Sequence, residues 1–144
     1  MSTRSRVRVL VCDDSVLMRR IVTDLLTEGG LEVVGTARDG SELVKRVTEL
    51  KPDVVTLDVE MPNTDGIAAL RQLMRQRPTP VVMLSSLTGT GTRATVQALA
   101  AGAVDALQKP PMRVERAAWQ GIRDELVARV RAAAQAHVDA GRVA

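Results

Sequence analysis

Two hydrophobic rhythms alternate along the chain. Val7 to Val11, Val33-Val34, Val54-Val55-Thr56-Leu57 and Val81-Val82-Met83-Leu84 are short, continuous, mostly β-branched runs, the signature of strands. Between them apolar residues recur at helical spacing. Leu17, Ile21, Val22, Leu25 and Leu26 form one stripe, stopped by Gly29-Gly30. Leu43, Val44, Val47 and Leu50 form a second, ended by Pro52. Gly66 opens a third helix with Ile67, Leu70, Leu73 and Met74, closed by Pro78 and Pro80. A fourth, around Val96 and Leu99, ends at Gly102; a weak fifth strand near Ala106-Leu107 runs into Lys109-Pro110-Pro111. Trp119, Ile122, Leu126, Val127 and Val130 mark the last helix. Five strand–helix units follow, with strands too continuously apolar to be half-exposed. That pattern predicts an α/β fold, a parallel sheet with helices on both faces.

Composition narrows the picture. A chain of 144 residues, 45% hydrophobic and 26% charged, suits one globular domain. Its core must be aliphatic, because it has one Trp and neither Phe nor Tyr. With 20 Lys and Arg against 17 Asp and Glu, the net charge is +3. The basic residues are scattered and no aromatics exist to stack on bases, so no nucleic-acid partner is expected. A single cysteine, Cys12, forbids an internal disulfide and a multi-cysteine zinc site, and reads as a small buried hydrophobe. The single histidine, His137, reads as a solvated surface residue. No apolar run approaches the ~20 residues of a membrane helix, and no charged-then-apolar leader opens the sequence; a cytoplasmic protein is expected. The Ala/Arg-rich stretch Arg129 to Ala144 reads as a helical extension fraying into a tail. The expected division is therefore a domain over 1–130 and an extension or linker start over 131–144.

Open parallel sheets bind ligands beyond the carboxyl ends of their strands. Those ends carry Asp13 and Asp14, Asp58, Ser85 and Lys109. Three carboxylates and one ammonium leave a charge of −2, which a hard, oxygen-seeking Mg²⁺ would balance. Ser85 and Lys109 are then placed to donate to the oxygens of a phosphoryl group. Each residue has a plainer explanation: Asp14 or Ser15 can cap the following helix, and Lys109 can be a solvated charge. Five such residues at matching strand ends argue for a joint site.

The segments Val11-Cys12-Asp13-Asp14-Ser15, Leu57-Asp58-Val59-Glu60-Met61-Pro62-Asn63-Thr64-Asp65-Gly66 and Lys109-Pro110 resemble the signature of two-component response-regulator receiver domains, over about Val7 to Val130. A finer resemblance is to the receiver of chemotaxis protein-glutamate methylesterases. It is carried by Val33-Val34-Gly35-Thr36-Ala37, by Pro52 to Pro62, by Pro78 to Thr88 and by Gly102-Ala103-Val104-Asp105. The resemblance implies a flavodoxin-like, doubly wound sheet of five parallel strands in the order 2-1-3-4-5, with five helices. It implies that Asp58 is the phosphoacceptor, that Ser85 is the switch hydroxyl and that Lys109 is the ion-pair partner of the phosphoryl group. Asp13, Asp14, Asp58 and the backbone carbonyl of Glu60 would hold Mg²⁺, for which Mn²⁺ can substitute. The Glu60 side chain would reach the path of an attacking water. The Lys109-Pro110 bond is often cis in such domains. Implied partners are a chemotaxis histidine kinase as phosphodonor, a methylesterase effector domain, and chemoreceptors.

Two departures stand out. The family usually has an aromatic three residues before the active-site lysine, and here that position is Ala106. The switch signal is therefore expected to travel through Ser86-Leu87-Thr88-Gly89-Thr90-Gly91 rather than through the fifth strand. In addition, no G-x-S-x-G turn occurs, so no esterase chemistry is expected from these residues. Two alternatives stay open: a receiver in another setting, stand-alone or ahead of a DNA-binding domain, and an aspartate-nucleophile phosphatase with Glu60 as its general acid. A nucleotide-binding fold is disfavoured, since no glycine-rich loop follows the first strand.

Overall fold

A computed structural model of the chain describes residues 6–61, 66–85, 93–110 and 116–136. The expected loop 86–91, His137 and the segment 62–65 lie outside them. Ten elements alternate: β1 (Arg8–Cys12), α1 (Val16–Glu28), β2 (Glu32–Ala37), α2 (Gly40–Leu50), β3 (Val54–Asp58), α3 (Gly66–Gln76), β4 (Val81–Ser85), α4 (Arg93–Ala100), β5 (Asp105–Gln108) and α5 (Arg116–Ala134). The strands form one parallel sheet in the order β2-β1-β3-β4-β5.

Successive side chains of a strand leave opposite faces, so each apolar run feeds two cores. Leu10, Val55, Leu57, Val81 and Met83 pack with Leu43 and Val47 of α2 and Leu70 and Leu73 of α3. Val9, Val11, Val54, Val82 and Leu84 pack on the other face with Val22 and Leu26 of α1 and Leu126 and Val130 of α5. Every residue of the central strands β3 and β4 is buried. Their continuous hydrophobicity follows from that double coverage.

The expectation of full burial fails at the sheet's edges. Most of β2 and β5 is only half-buried, because an edge strand has a neighbour on one side alone. Helix α4 contains Val96 and Leu99 as expected, but they do not make its buried face. Val96 and Leu99 face outward, 56% and 46% exposed, while the small Ala98 is fully buried. The helix rests on alanines, which a search for large apolar residues overlooks. Leu17 is likewise 54% exposed, and the buried face of α1 starts at Met18 instead.

The helix ends obey local chemistry. Ser15 caps α1, its Oγ accepting from Met18 N–H at 3.1 Å. Past Glu28, Gly29 N–H donates to the Leu25 carbonyl and Gly30 takes a positive φ of 89°, which suits a residue without Cβ.

Candidate functional site

Register assembles the site. Cys12 of β1 pairs with Leu57 of β3, so the next residues, Asp13 and Asp58, reach the carboxyl edge side by side. On the other side of β3, Asp58 pairs with Leu84 and Ser85 follows; Lys109 N–H donates to the Ser85 carbonyl at 2.8 Å. Asp13, Asp58 and Ser85 are all buried. A buried carboxylate needs partners, and Lys109 supplies them. Its Nζ lies 3.0 Å from Asp58 Oδ1 and 3.3 Å from Asp13 Oδ2.

Backbone donors hold both carboxylates in place. Glu60 N–H donates to Asp58 Oδ1 at 3.0 Å, and Ser15 N–H donates to Asp13 Oδ1 at 2.9 Å. Gly66 N–H lies 3.2 Å from the carbonyl of Val59, the residue just past β3. A Cβ on Gly66 would strike the Asp58 carbonyl oxygen and lie 2.8 Å from Val59 Cα. Only glycine fits that approach, which is a physical reason for Gly66.

The remaining valences are telling. Asp58 Oδ2 is buried and makes no hydrogen bond. One oxygen each of Asp13, Asp14 and Asp58 lie within 4.8 Å of one another, with Asp14 exposed beside its two buried neighbours. Three carboxylates clustered in this way make an all-oxygen donor set that suits a hard divalent cation. Burial pushes the Asp58 carboxyl up to about 7; the Lys109 hydrogen bond opposes the rise and the Asp13 charge adds to it. Burial alone would lower the Lys109 ammonium, but the hydrogen bond and charge of Asp58, with the charge of Asp13, hold it above its ordinary value.

The structure thus brings Asp13, Asp14, Asp58, Ser85 and Lys109 to one edge, with Glu60 beside them. The Glu60 carboxylate accepts from Ser85 Oγ–H at 2.6 Å. Ser15, not Asp14, caps α1, so the capping explanation does not account for Asp14. Cys12 is buried beneath the site, its thiol raised by that burial and by the charge of Asp13. No cis peptide bond occurs among the described residues, and the Lys109-Pro110 bond is trans. Arg19 is a residue that the sequence reading omits. Its Nη1 donates to the Asp13 carbonyl at 2.7 Å, fixing the turn out of β1. The available signal was a cation one turn into the helix that follows the aspartate pair.

This sheet order and acidic edge define a receiver-type α/β domain. Residues 9–117 match the response regulator receiver domain family, and the chain belongs to it. Over 131 residues it is 54% identical to a protein-glutamate methylesterase/protein-glutamine glutaminase of Symbiobacterium thermophilum, covering 90% of this chain and 36% of that relative's length. The response regulator domain of Thermotoga maritima CheB superposes with a TM-score of 0.81 at 43% identity, over 92% of this chain and 98% of that one. A chain of the CheX–CheY–BeF3–Mg²⁺ complex from Borrelia burgdorferi superposes with a TM-score of 0.72 at 31% identity, over 88% and 87% of the two chains. No helix among the described residues is long and apolar enough to cross a membrane.

Proposed function

We propose that this chain is the phosphorylatable receiver of a chemotaxis protein-glutamate methylesterase, with Asp58 as phosphoacceptor. The observation that carries the reading is the division of labour on Asp58. Its Oδ1 is held by Lys109 and by Glu60 N–H, while its Oδ2 has no partner. A nucleophilic oxygen must be fixed in place yet uncommitted. In the reaction Asp58 Oδ2 attacks the phosphorus of a phosphohistidine on a histidine kinase. The new O–P bond forms as the P–N bond breaks, and the imidazole leaves with the electron pair.

Lys109 and Ser85 flank the position where the phosphoryl oxygens arrive, as an ammonium and a hydroxyl donor. Asp13, Asp14, Asp58 and the Glu60 backbone carbonyl are the groups that would hold Mg²⁺ or Mn²⁺. Bound there, the cation supplies positive charge that favours the ionised carboxylate and offsets the charge of the transferred group. Burial pushes the Asp58 carboxyl up to about 7, so added positive charge would favour its ionised form. Support for a phosphoryl-binding edge also comes from the Borrelia burgdorferi complex, which contains both BeF3 and Mg²⁺.

The chain spans about a third of the Symbiobacterium thermophilum relative. The methylesterase effector, its chemoreceptor substrates and a chemotaxis kinase as phosphodonor therefore belong to the proposal, as do a cytoplasmic setting and a boundary near residue 130. Incubation with acetyl phosphate and Mg²⁺ tests the central claim. A phosphoryl mass increment should appear on Asp58 and vanish in Asp58→Asn; persistent labelling of that variant at another aspartate overturns the assignment.

A further inference from the structure

Ser85 has one hydroxyl proton to give. In this structure it goes to Glu60 Oε2, at 2.6 Å, the short distance of an O–H···O⁻ bond to a charged acceptor. The reading of Asp58 as phosphoacceptor needs the same proton for a phosphoryl oxygen. Ser85 cannot serve both.

We infer that Glu60 is a positioning residue that latches the switch hydroxyl: it holds Ser85 in the unphosphorylated protein, and phosphorylation must break that bond before Ser85 can turn. This rests on the phosphoacceptor reading and deepens it. The latch and the phosphorylation site are joined by two residues of backbone, and Glu60 N–H is itself bonded to Asp58 Oδ1 at 3.0 Å. A phosphoryl group on Asp58 acts on this short unit in two ways. It offers Ser85 a competing anionic acceptor, and its charge repels the Glu60 carboxylate. Breaking a charge-assisted hydrogen bond raises the threshold for switching. Glu60 thereby sets how readily the phosphoryl group captures Ser85, a role separate from orienting water.

The test uses the full chain and beryllofluoride with Mg²⁺ as the phosphoryl probe. Glu60→Ala leaves the residue-60 backbone carbonyl in place and removes the carboxylate that holds Ser85. It should bind beryllofluoride about tenfold more tightly than wild type, the size of one charge-assisted hydrogen bond. That gain should disappear in a Ser85→Ala background. Glu60→Gln, which keeps an acceptor but loses the charge, should fall between wild type and Glu60→Ala. In metal-free protein, unfolding of Glu60→Ala, Ser85→Ala and the double variant should show coupling between the two sites. A gain that is equally large without the Ser85 hydroxyl overturns the latch and leaves charge repulsion alone. Absence of coupling in the metal-free protein overturns it as well. If wild type fails to bind the probe while the coupling is present, the phosphoacceptor reading falls, and the latch loses its switching role with it.

Discussion

The two ends of the same sheet treat the same residue types in opposite ways. At the amino end, Arg8 N–H donates to Asp53 Oδ2 at 2.9 Å, Arg8 Nη1 donates to the Lys51 carbonyl at 2.9 Å, and Asp53 N–H returns a bond to the Arg8 carbonyl. These groups keep contact with solvent. At the carboxyl end, Asp13 and Asp58 are buried around Lys109, the one cation paired with them among the described residues, and one carboxylate oxygen has no partner. Burial and stoichiometry make the difference. Two buried carboxylates to one ammonium leave a charge imbalance that this pairing alone does not relieve. The amino end closes its strands; the carboxyl end keeps two buried carboxylates for one ammonium and an oxygen without a partner, which the proposed cation and phosphoryl chemistry would use. Departures from full local satisfaction belong at functional sites.

The largest expected effect lies at the poised end. Asp14 is exposed and supplies the third oxygen of the acidic cluster. Asp14→Ala should weaken Mg²⁺ binding by about two orders of magnitude, because a hard cation held by few protein oxygens loses a full unit charge. Stability of the metal-free protein should stay within about 0.5 kcal/mol or rise, since an exposed like charge has been removed. Titration calorimetry and denaturant unfolding check the two halves. Unchanged Mg²⁺ affinity would break the contrast between the ends.

Next in size is Gly66→Ala. The added Cβ meets backbone of Asp58 and Val59, which cannot swing aside as a side chain can. A loss of about 1–3 kcal/mol is expected, with reduced labelling of Asp58 because its strand end must move. Gly121 is the control. It is an exposed position within α5 where a Cβ meets nothing within 4 Å, so Gly121→Ala should stabilise by about 0.5–1 kcal/mol and leave labelling unchanged. Equal effects of the two substitutions would refute the steric account of Gly66.

The poised end was largely legible from sequence. Parallel register turns "the residue after each strand" into "neighbours at one edge", so Asp13, Asp58, Ser85 and Lys109 could be gathered without coordinates. The choice between Asp14 and Ser15 as helix cap could not be made that way, because both follow the strand at plausible cap positions. The Glu60–Ser85 bond was illegible for another reason. It depends on how one side chain just past β3 and one at the end of β4 turn, and no pattern of apolar residues encodes that. The buried face of α4 was illegible for a similar reason. Periodicity weights Val96 and Leu99, but close packing there is made by Ala98 and Ala101, whose small size lets the helix lie close.

A pH experiment separates the two ends more finely. Burial raises the Asp58 pKa from 3.8 to about 7 in the metal-free protein. Between those values the folded protein retains a proton that the unfolded chain has released. The stability contributed by this group is therefore present at acidic pH and lost as pH rises through about 7. Asp58→Asn has no such proton. Its stability should decline less than that of wild type between pH 5 and pH about 7.5 in metal-free buffer. Parallel profiles for the two proteins would show that Asp58 is not the group responsible.

The smallest effect is expected at the amino end. Asp53 accepts from the first backbone N–H of β1, and its own N–H bonds back across to Arg8. Asp53→Ala removes one acceptor, yet the Arg8 N–H is only part-buried and can turn to water, so no buried donor is stranded. The cost should be about 0.5–1 kcal/mol, the net worth of one such bond. Asp53→Asn, which keeps a carbonyl acceptor at that position, should recover most of it. Neither substitution should change labelling of Asp58 or Mg²⁺ affinity, because the core of the sheet lies between the two ends and changes this small do not shift the β1–β3 register. The check is a denaturation midpoint measured beside a phosphodonor labelling rate on each variant. If labelling falls in step with stability, the amino end is setting the geometry of the acidic edge, and the division between a closed end and a poised one is wrong.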